Sequence, residues 1–142
     1  MQTLSLPQVV FDVLDGEGAG WSNLAGELDQ SMDQIGTQSV LVAGCEPGVG
    51  CTTISIALAV ALSELRGDSI LLMDGDFRHP GLASALRLRA SWSLDDLLAD
   101  PSLWKRARVR SRRPAISVLP LLRRGGRSEE HTSELQSPCN LV

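Results

Sequence analysis

The stretch Ser39-Val-Leu-Val-Ala-Gly-Cys45-Glu-Pro-Gly-Val-Gly50-Cys-Thr-Thr-Ile-Ser-Ile-Ala-Leu-Ala-Val-Ala-Leu-Ser-Glu-Leu-Arg66, followed closely by Ser69-Ile-Leu-Leu-Met-Asp-Gly-Asp76, decides the fold. Residues 39–43 form a short, continuously apolar, β-branched run, the composition of a buried parallel strand. Cys45-Glu-Pro-Gly-Val-Gly50 then forces a turn. From Thr52, apolar residues at Ile54, Ala57, Leu58, Ala61, Leu62 and Leu65 repeat at helical spacing, and Gly67 supplies a stop signal. Ile56 and Val60 widen the apolar face, so this helix is expected to be largely buried. Residues 69–73 read as a second buried strand. Strand, turn, helix and strand make a βαβ unit with a right-handed crossover. The expected class is α/β: a three-layer α/β/α arrangement with a mainly parallel sheet, cut off after about three strands.

Outward from this unit, residues 1–20 read as a flexible, acidic, glycine-containing lead-in. Trp21, Leu24, Ala25, Leu28, Met32 and Ile35 lie at helical spacing and predict one amphipathic helix ending at Gly36. On the other side, a helix is expected over residues 81–88, and another opens at Ser93, whose hydroxyl can cap it, and stops at Pro101. The basic run 105–113 precedes 115–119, a third strand. The domain reading is a lead-in and helix over 1–37, a partial nucleotide-binding domain over 38–126, and a foreign tail over 127–142.

The tail has its own signature. Residues 127–137, Arg-Ser-Glu-Glu-His-Thr-Ser-Glu-Leu-Gln-Ser, equal the translation of a common indexed sequencing adapter, and Asn140-Leu-Val142 resumes its constant part. These residues are set aside from the functional argument, and the natural chain is expected to continue beyond about Gly126.

The 142-residue chain has a formal net charge of −4, distributed unevenly. Residues 1–77 hold eleven acids against one base, Arg66, whereas 78–126 hold eleven bases against three acids. The apolar stretch 54–62 falls far short of the roughly 18–20 residues of a membrane span. Residues 1–7 carry no basic residue and no sustained apolar core, so they do not read as a secretory signal. Three cysteines make no disulfide framework. A cytoplasmic location is expected, with the inner face of the cell membrane as a working position. Cys45 and Cys51 read as inert thiols rather than a redox pair, and His79 as structural. The run 105–113 reads either as a solvated face or as a surface for acidic lipid or an acidic partner segment. Nucleic acid fits poorly because Trp104 is the only ring beside it.

The chemistry is carried by Cys45-Glu-Pro47-Gly48-Val49-Gly50-Cys51-Thr52-Thr53. A phosphate-binding loop needs glycines so that successive N–H groups converge on an anion, a lysine for the terminal phosphates, and a hydroxyl for Mg²⁺. Glycines, hydroxyl and a following helix start are present, and the helix dipole favours an anion there. Cys51 occupies the lysine position. A thiol cannot balance triphosphate charge as an ammonium does. Asp74 and Asp76 follow a strand end, where two carboxylates can hold Mg²⁺ or its waters and orient a nucleophile.

On these residues the chain resembles the bacterial polysaccharide-export tyrosine kinases (CpsD/CapB-like), within the MinD/ParA class of P-loop NTPases. The family pattern Pro-Gly-x-Gly-Lys-[Ser/Thr] is matched by Pro47 to Thr52 except at Cys51, and Asp-x-Asp-x-Arg-x-Pro by Asp74, Asp76, Arg78 and Pro80. Ser93-Leu-Asp-Asp-Leu-Leu98 and Ile116-Ser-Val-Leu-Pro120 resemble the helix and strand that come next in that family. The resemblance implies a site for ATP or ADP with Mg²⁺ in which Pro47, Gly48, Val49, Gly50, Cys51, Thr52 and Thr53 hold the nucleotide. Thr52, Asp74 and Asp76 would be metal ligands, and Asp74 and Asp76 the catalytic acids. Arg78 would be a subunit-contact or regulatory residue, implying a homo-oligomer, and a membrane-bound export protein would be the partner. Glu46 stands where partition ATPases have a second lysine. With no loop lysine and no tyrosine in the chain, phosphotransfer is not carried over. The alternative is a non-catalytic adaptor that senses nucleotide.

Overall fold

In the computed structural model, which describes residues 4–16, 20–67 and 70–123, the buried centre is helix α3 (Cys51–Arg66), earlier helices being α1 (Gln8–Gly16) and α2 (Gly20–Ile35). The unbroken apolar run in the middle of α3 has the consequence expected of it, since residues 56–63 are all buried. Its C-terminus closes on Gly67, whose positive φ of 66° lets its N–H reach the Ser63 carbonyl at 3.1 Å, a turn that favours glycine. α2 packs along one flank of α3 through Ala25, with Leu28 and Trp21 partly buried against Leu58 and Leu62. Arg66 ties the two helices together, its guanidinium meeting Asp29 and, at 3.1 Å, Asp33.

The expectation of a flexible lead-in fails over residues 8–16, which form α1. Val10 is fully buried against Ile56 and Val60, with Leu4 beside it. Leu6, Val10, Val13 and Leu14 repeat at helical spacing, and burying them outweighs the helix-opposing Asp and Gly residues around them. Residues 1–3 and 17–19 of the lead-in, Ser69 of the second expected strand, residues 124–126 of the partial domain, and the tail lie outside the described residues.

The expected three-layer, mainly parallel architecture is corrected. Roughly half of the described residues are helical, and the sheet has three short strands in the order β1-β3-β2: β1 (Ile70–Met73), β2 (Val109–Arg110) and β3 (Ile116–Leu119). β1 pairs with β3 in parallel, Ile70 opposite Ile116 and Met73 opposite Leu119, while β2 pairs antiparallel, Val109 opposite Val118. Only five residues separate β2 from β3, and so short a connection permits only antiparallel pairing. Val109–Arg110 therefore takes part of the basic run out of the loop it was read as.

Residues 39–43, the expected first strand, form no strand. Leu41 is 80% exposed and Val40 43% exposed, so the run is not the doubly buried strand its composition suggested. It passes beside the end of β1, where the Leu41 side chain lies 3.6 Å from the place of a β-carbon on Gly75, and Val42 packs on the α2–α3 cluster. Among the described residues no βαβ ladder closes around α3. The parallel pair is joined instead through α4 (Leu82–Ala85), α5 (Leu94–Ala99), a 3₁₀ turn (Pro101–Leu103) and α6 (Trp104–Ala107).

Alternation along β3 sends Ile116 and Val118 toward α3 and Leu119 toward a second cluster with Leu97, Ala107 and Leu121. Ser93 caps α5 as expected: its hydroxyl accepts from the Asp96 N–H at 3.3 Å, and the Asp96 carboxylate accepts from the Ser93 N–H at 2.8 Å. Asp96 is thereby held below the usual carboxylate range. α4 is shorter than the expected 81–88. Its last turn bends at Arg87, with a positive φ of 52°, and continues only as single bonds such as Leu88 N–H to Ala83 C=O at 2.8 Å.

Candidate functional site

The loop that precedes α3 owes its path to glycine. Gly48 (φ 81°) and Gly50 (φ 90°) both occupy the left-handed region, where an L side chain is strained. A third glycine is required for a different reason. A β-carbon on Gly44 would stand 2.5 Å from Val49 Cγ2 and 2.6 Å from the Cys51 sulfur, so the loop folds back on a bare backbone. Sequence reasoning missed Gly44, although its place between the apolar run and Cys45 was the available signal. Pro47, Gly48 and Val49 are exposed, and Gly50, Cys51, Thr52 and Thr53 are partly buried.

α3 begins at Gly50, the first intrahelical bond running from Ile54 N–H to Gly50 C=O at 2.9 Å. Among the described residues no side chain caps this end. The opening N–H groups of a helix have no intrahelical acceptor, so here they stay available at the foot of the loop. The Cys51 sulfur does not extend from that position as a longer side chain would; it packs against Gly44.

Asp74 leaves the end of β1, 8% exposed, and reaches the next helix. Its Oδ1 accepts from the Gly81 N–H at 3.0 Å and the Leu82 N–H at 3.2 Å, anchoring the start of α4. Burial pushes this carboxyl above the usual range, opposed by those two donors, with a further upward push from Asp76. Thr52 comes to the same point from α3, its Oγ1 lying 3.0 Å from the place of a β-carbon on Gly81. The structure thus brings Thr52 and Asp74 to either side of one glycine, a residue the sequence reading placed only at a helix start.

Asp76 is turned elsewhere. Its Oδ1 accepts from the N–H groups of His79 (3.1 Å) and Arg78 (2.9 Å), which hold it below the usual range, and His79 Nδ1 lies 3.5 Å from its Oδ2. Asp76 and Asp74 therefore end on different backbone donors. Among the described residues no three His, Cys, Asp or Glu side chains are grouped to hold a metal ion. Cys45 and Cys51 are both free thiols. Trp104, the ring beside the basic run, donates its Nε1–H to the Leu97 carbonyl at 3.0 Å and belongs to the second core cluster, while Arg106 stacks over Trp92 at 5.7 Å. No helix among the described residues is long and apolar enough to cross a membrane.

Loop, helix start and strand-end acid thus share one corner of a mixed α/β chain. The chain as a whole is similar in fold to the chimerical protein CapA2B2, with a TM-score of 0.58 at 20% identity over 95% of this chain and 59% of that one. In sequence, 68 residues are 32% identical to the ESX-1 secretion-associated protein EspI of Mycobacterium tuberculosis, in strains CDC 1551 / Oshkosh and ATCC 25618 / H37Rv. That match covers 48% of this chain and 10% of EspI, so the chain spans about a tenth of these curated relatives. No family model matches the chain.

Proposed function

We propose that residues 44–82 form the phosphate-gripping part of a nucleotide-binding protein related to the polysaccharide-export tyrosine kinases, taking ATP or ADP with Mg²⁺. The observation that carries this reading is the uncapped start of α3 behind two left-handed glycines, with Thr52 and Asp74 meeting at Gly81. Backbone N–H groups of the loop and of the first turn of α3 bind and orient the phosphates, which need no side chain for that contact. A hydroxyl and a carboxylate are the hard oxygen donors that suit Mg²⁺, an ion commonly held by one or two protein oxygens together with phosphate and water. The residues present therefore fit the ion, with Thr52 and Asp74 as its holders. When bound, Mg²⁺ supplies charge neutralisation of the phosphates. Asp76, exposed and kept ionised by the N–H groups of Arg78 and His79, is turned away from the Thr52–Asp74 pair and is left for the water that reaches the edge of the site.

A second reading is favoured by Cys51. Without an ammonium at that position, charge developing on a transferred phosphoryl group goes unmatched, and occupancy alone becomes the output. The chain then serves as a nucleotide-sensing adaptor for a membrane-bound export partner. The likeness to CapA2B2 in fold and the secretion-associated name of EspI support an export setting for either reading. Contact between copies through the exposed Arg78 belongs to the same proposal.

Calorimetric titration of the chain with ADP and Mg²⁺ tests the site. Cys51→Lys is expected to tighten binding about tenfold, since a charge-assisted contact to phosphate is worth roughly 1.5–3 kcal/mol. Unchanged affinity removes the loop from the site. ATP turnover separates the readings, because measurable hydrolysis excludes the adaptor.

A further inference from the structure

Beyond the glycine loop, a second concave surface opens beside α4. It is a cleft of about 530 Å³, within the range of small-ligand sites. Three arginines from separate segments line it: Arg78 after the acidic turn, Arg89 after α4, and Arg123 after β3. His79 lines it as well, its Nδ1 3.5 Å from the Asp76 Oδ2, while Asp76 Oδ1 accepts from the N–H groups of 78 and 79. The remaining lining is mostly apolar, chiefly Ala83, Leu88 and Leu121, with the hydroxyl-bearing Ser84 among them. Leu121 is fixed in the second core cluster, so that part of the wall is preformed.

This combination selects a ligand class. Arginines on the wall of a cleft suit a tetrahedral dianion, because a guanidinium is a planar fork of donors that matches phosphate oxygens. The apolar wall favours a ligand with a carbon body over a bare ion. The long-range field points the same way, since the chain from 78 to 123 carries ten bases against three acids. Two of those acids are engaged locally, Asp96 with Ser93 and Asp100 with the Ser102 N–H.

We infer that this cleft is a second anion site, distinct from the glycine loop, that binds a phosphate monoester bearing an apolar or aromatic body. It shares Arg78, His79 and Pro80 with the segment proposed for the nucleotide, but it uses neither Gly48, Gly50 nor Thr52 and so stands without the nucleotide reading.

The full chain titrated with phenyl phosphate, followed by amide NMR and calorimetry, tests the inference. Shifts are expected at Ala83, Ser84, Ala90 and Leu121, and inorganic phosphate is expected to bind about tenfold more weakly for lack of a body. Arg89→Ser with Arg123→Ser is expected to weaken phenyl phosphate at least about tenfold, and Arg89→Lys with Arg123→Lys to recover part of the loss. Shifts confined to 48–53 place the ligand on the glycine loop and overturn the inference. So does affinity that survives the double serine variant in a chain with unchanged circular dichroism. Equal affinity for inorganic phosphate overturns the assigned carbon body. Loss of ADP binding in a glycine-loop variant that keeps phenyl phosphate binding supports two separate sites.

Discussion

Thr52 and Asp74 meet at one backbone position: Asp74 Oδ1 accepts the Gly81 N–H at 3.0 Å, and Thr52 Oγ1 lies 3.0 Å from where a β-carbon on Gly81 would stand. Gly81 is in an ordinary right-handed conformation, φ −108°, so its requirement is space and not backbone freedom. The start of α3 and the end of β1 are thereby held in contact through a residue that offers no side chain of its own.

Gly81→Ala is therefore expected to displace the Thr52 hydroxyl while leaving the backbone unstrained. Affinity for ADP with Mg²⁺ should fall about tenfold, and affinity for ADP in the presence of a chelator should change much less. Equal losses under both conditions would show that Thr52 does not act through the ion.

Asp74→Asn separates stability from binding. Burial raises the Asp74 pKa, so ionised Asp74 disfavours the folded state at neutral pH. The sign follows from linkage: with the folded value above the unfolded one, Asp74 contributes its stability below the unfolded pKa and loses it as pH rises through the folded pKa. Asparagine keeps an oxygen for the Gly81 and Leu82 N–H groups and removes the charge. The variant should melt no lower than the parent at pH 7, with any advantage shrinking as pH falls into the carboxylate range. Its binding of ADP with Mg²⁺ should be strongly reduced. A lower melting temperature at pH 7 with intact binding would refute both halves.

Ser93→Ala breaks the capping box at the start of α5. The expected loss is about 1 kcal/mol of stability, measured by urea unfolding at neutral pH. Because the same contacts lower the Asp96 pKa, the parent's advantage is present above the ordinary carboxylate range and lost as pH falls through the folded value. A loss independent of pH would assign the effect to packing of the buried Ser93 instead.

Val10→Ala tests whether α1 belongs to the folded unit. Val10 is fully buried against α3, and removing its two methyl groups should cost about 2 kcal/mol. A stability unchanged by the substitution would leave α1 as an appendage.

Helices announced by period were legible from sequence, and the sheet was less so. Leu58, Ala61 and Leu62 on α3, the Gly67 stop and the Ser93 cap follow from local chemistry, and they appear where the spacing put them. A strand depends on a partner elsewhere in the chain. The run 39–43 has the composition of a buried strand and no ladder, whereas Val109–Arg110, hidden among arginines, acquires one from β3. α1 is obscured in the sequence because Asp12, Asp15, Gly16 and Glu17 break up the spacing of Leu6, Val10, Val13 and Leu14. At the candidate site Gly48 and Gly50 take the left-handed conformation that suits the turn expected over 45–50. Gly44 and Gly81 did not stand out, since what they must avoid, Cys51 and Thr52, lies across a fold that one-dimensional spacing does not display.

The tryptophans have a practical consequence. Trp21 donates its Nε1–H to the Val13 carbonyl at 2.8 Å and packs beside α3, whereas Trp92 and Trp104 belong to the cluster around Leu97 and Leu119, with Arg106 stacked over Trp92. The chain carries intrinsic fluorophores in two separate neighbourhoods, one of them next to a cation that can quench it. Emission from variants retaining only Trp21 or only the other pair would show whether the helical side and the β3 side melt together or in sequence.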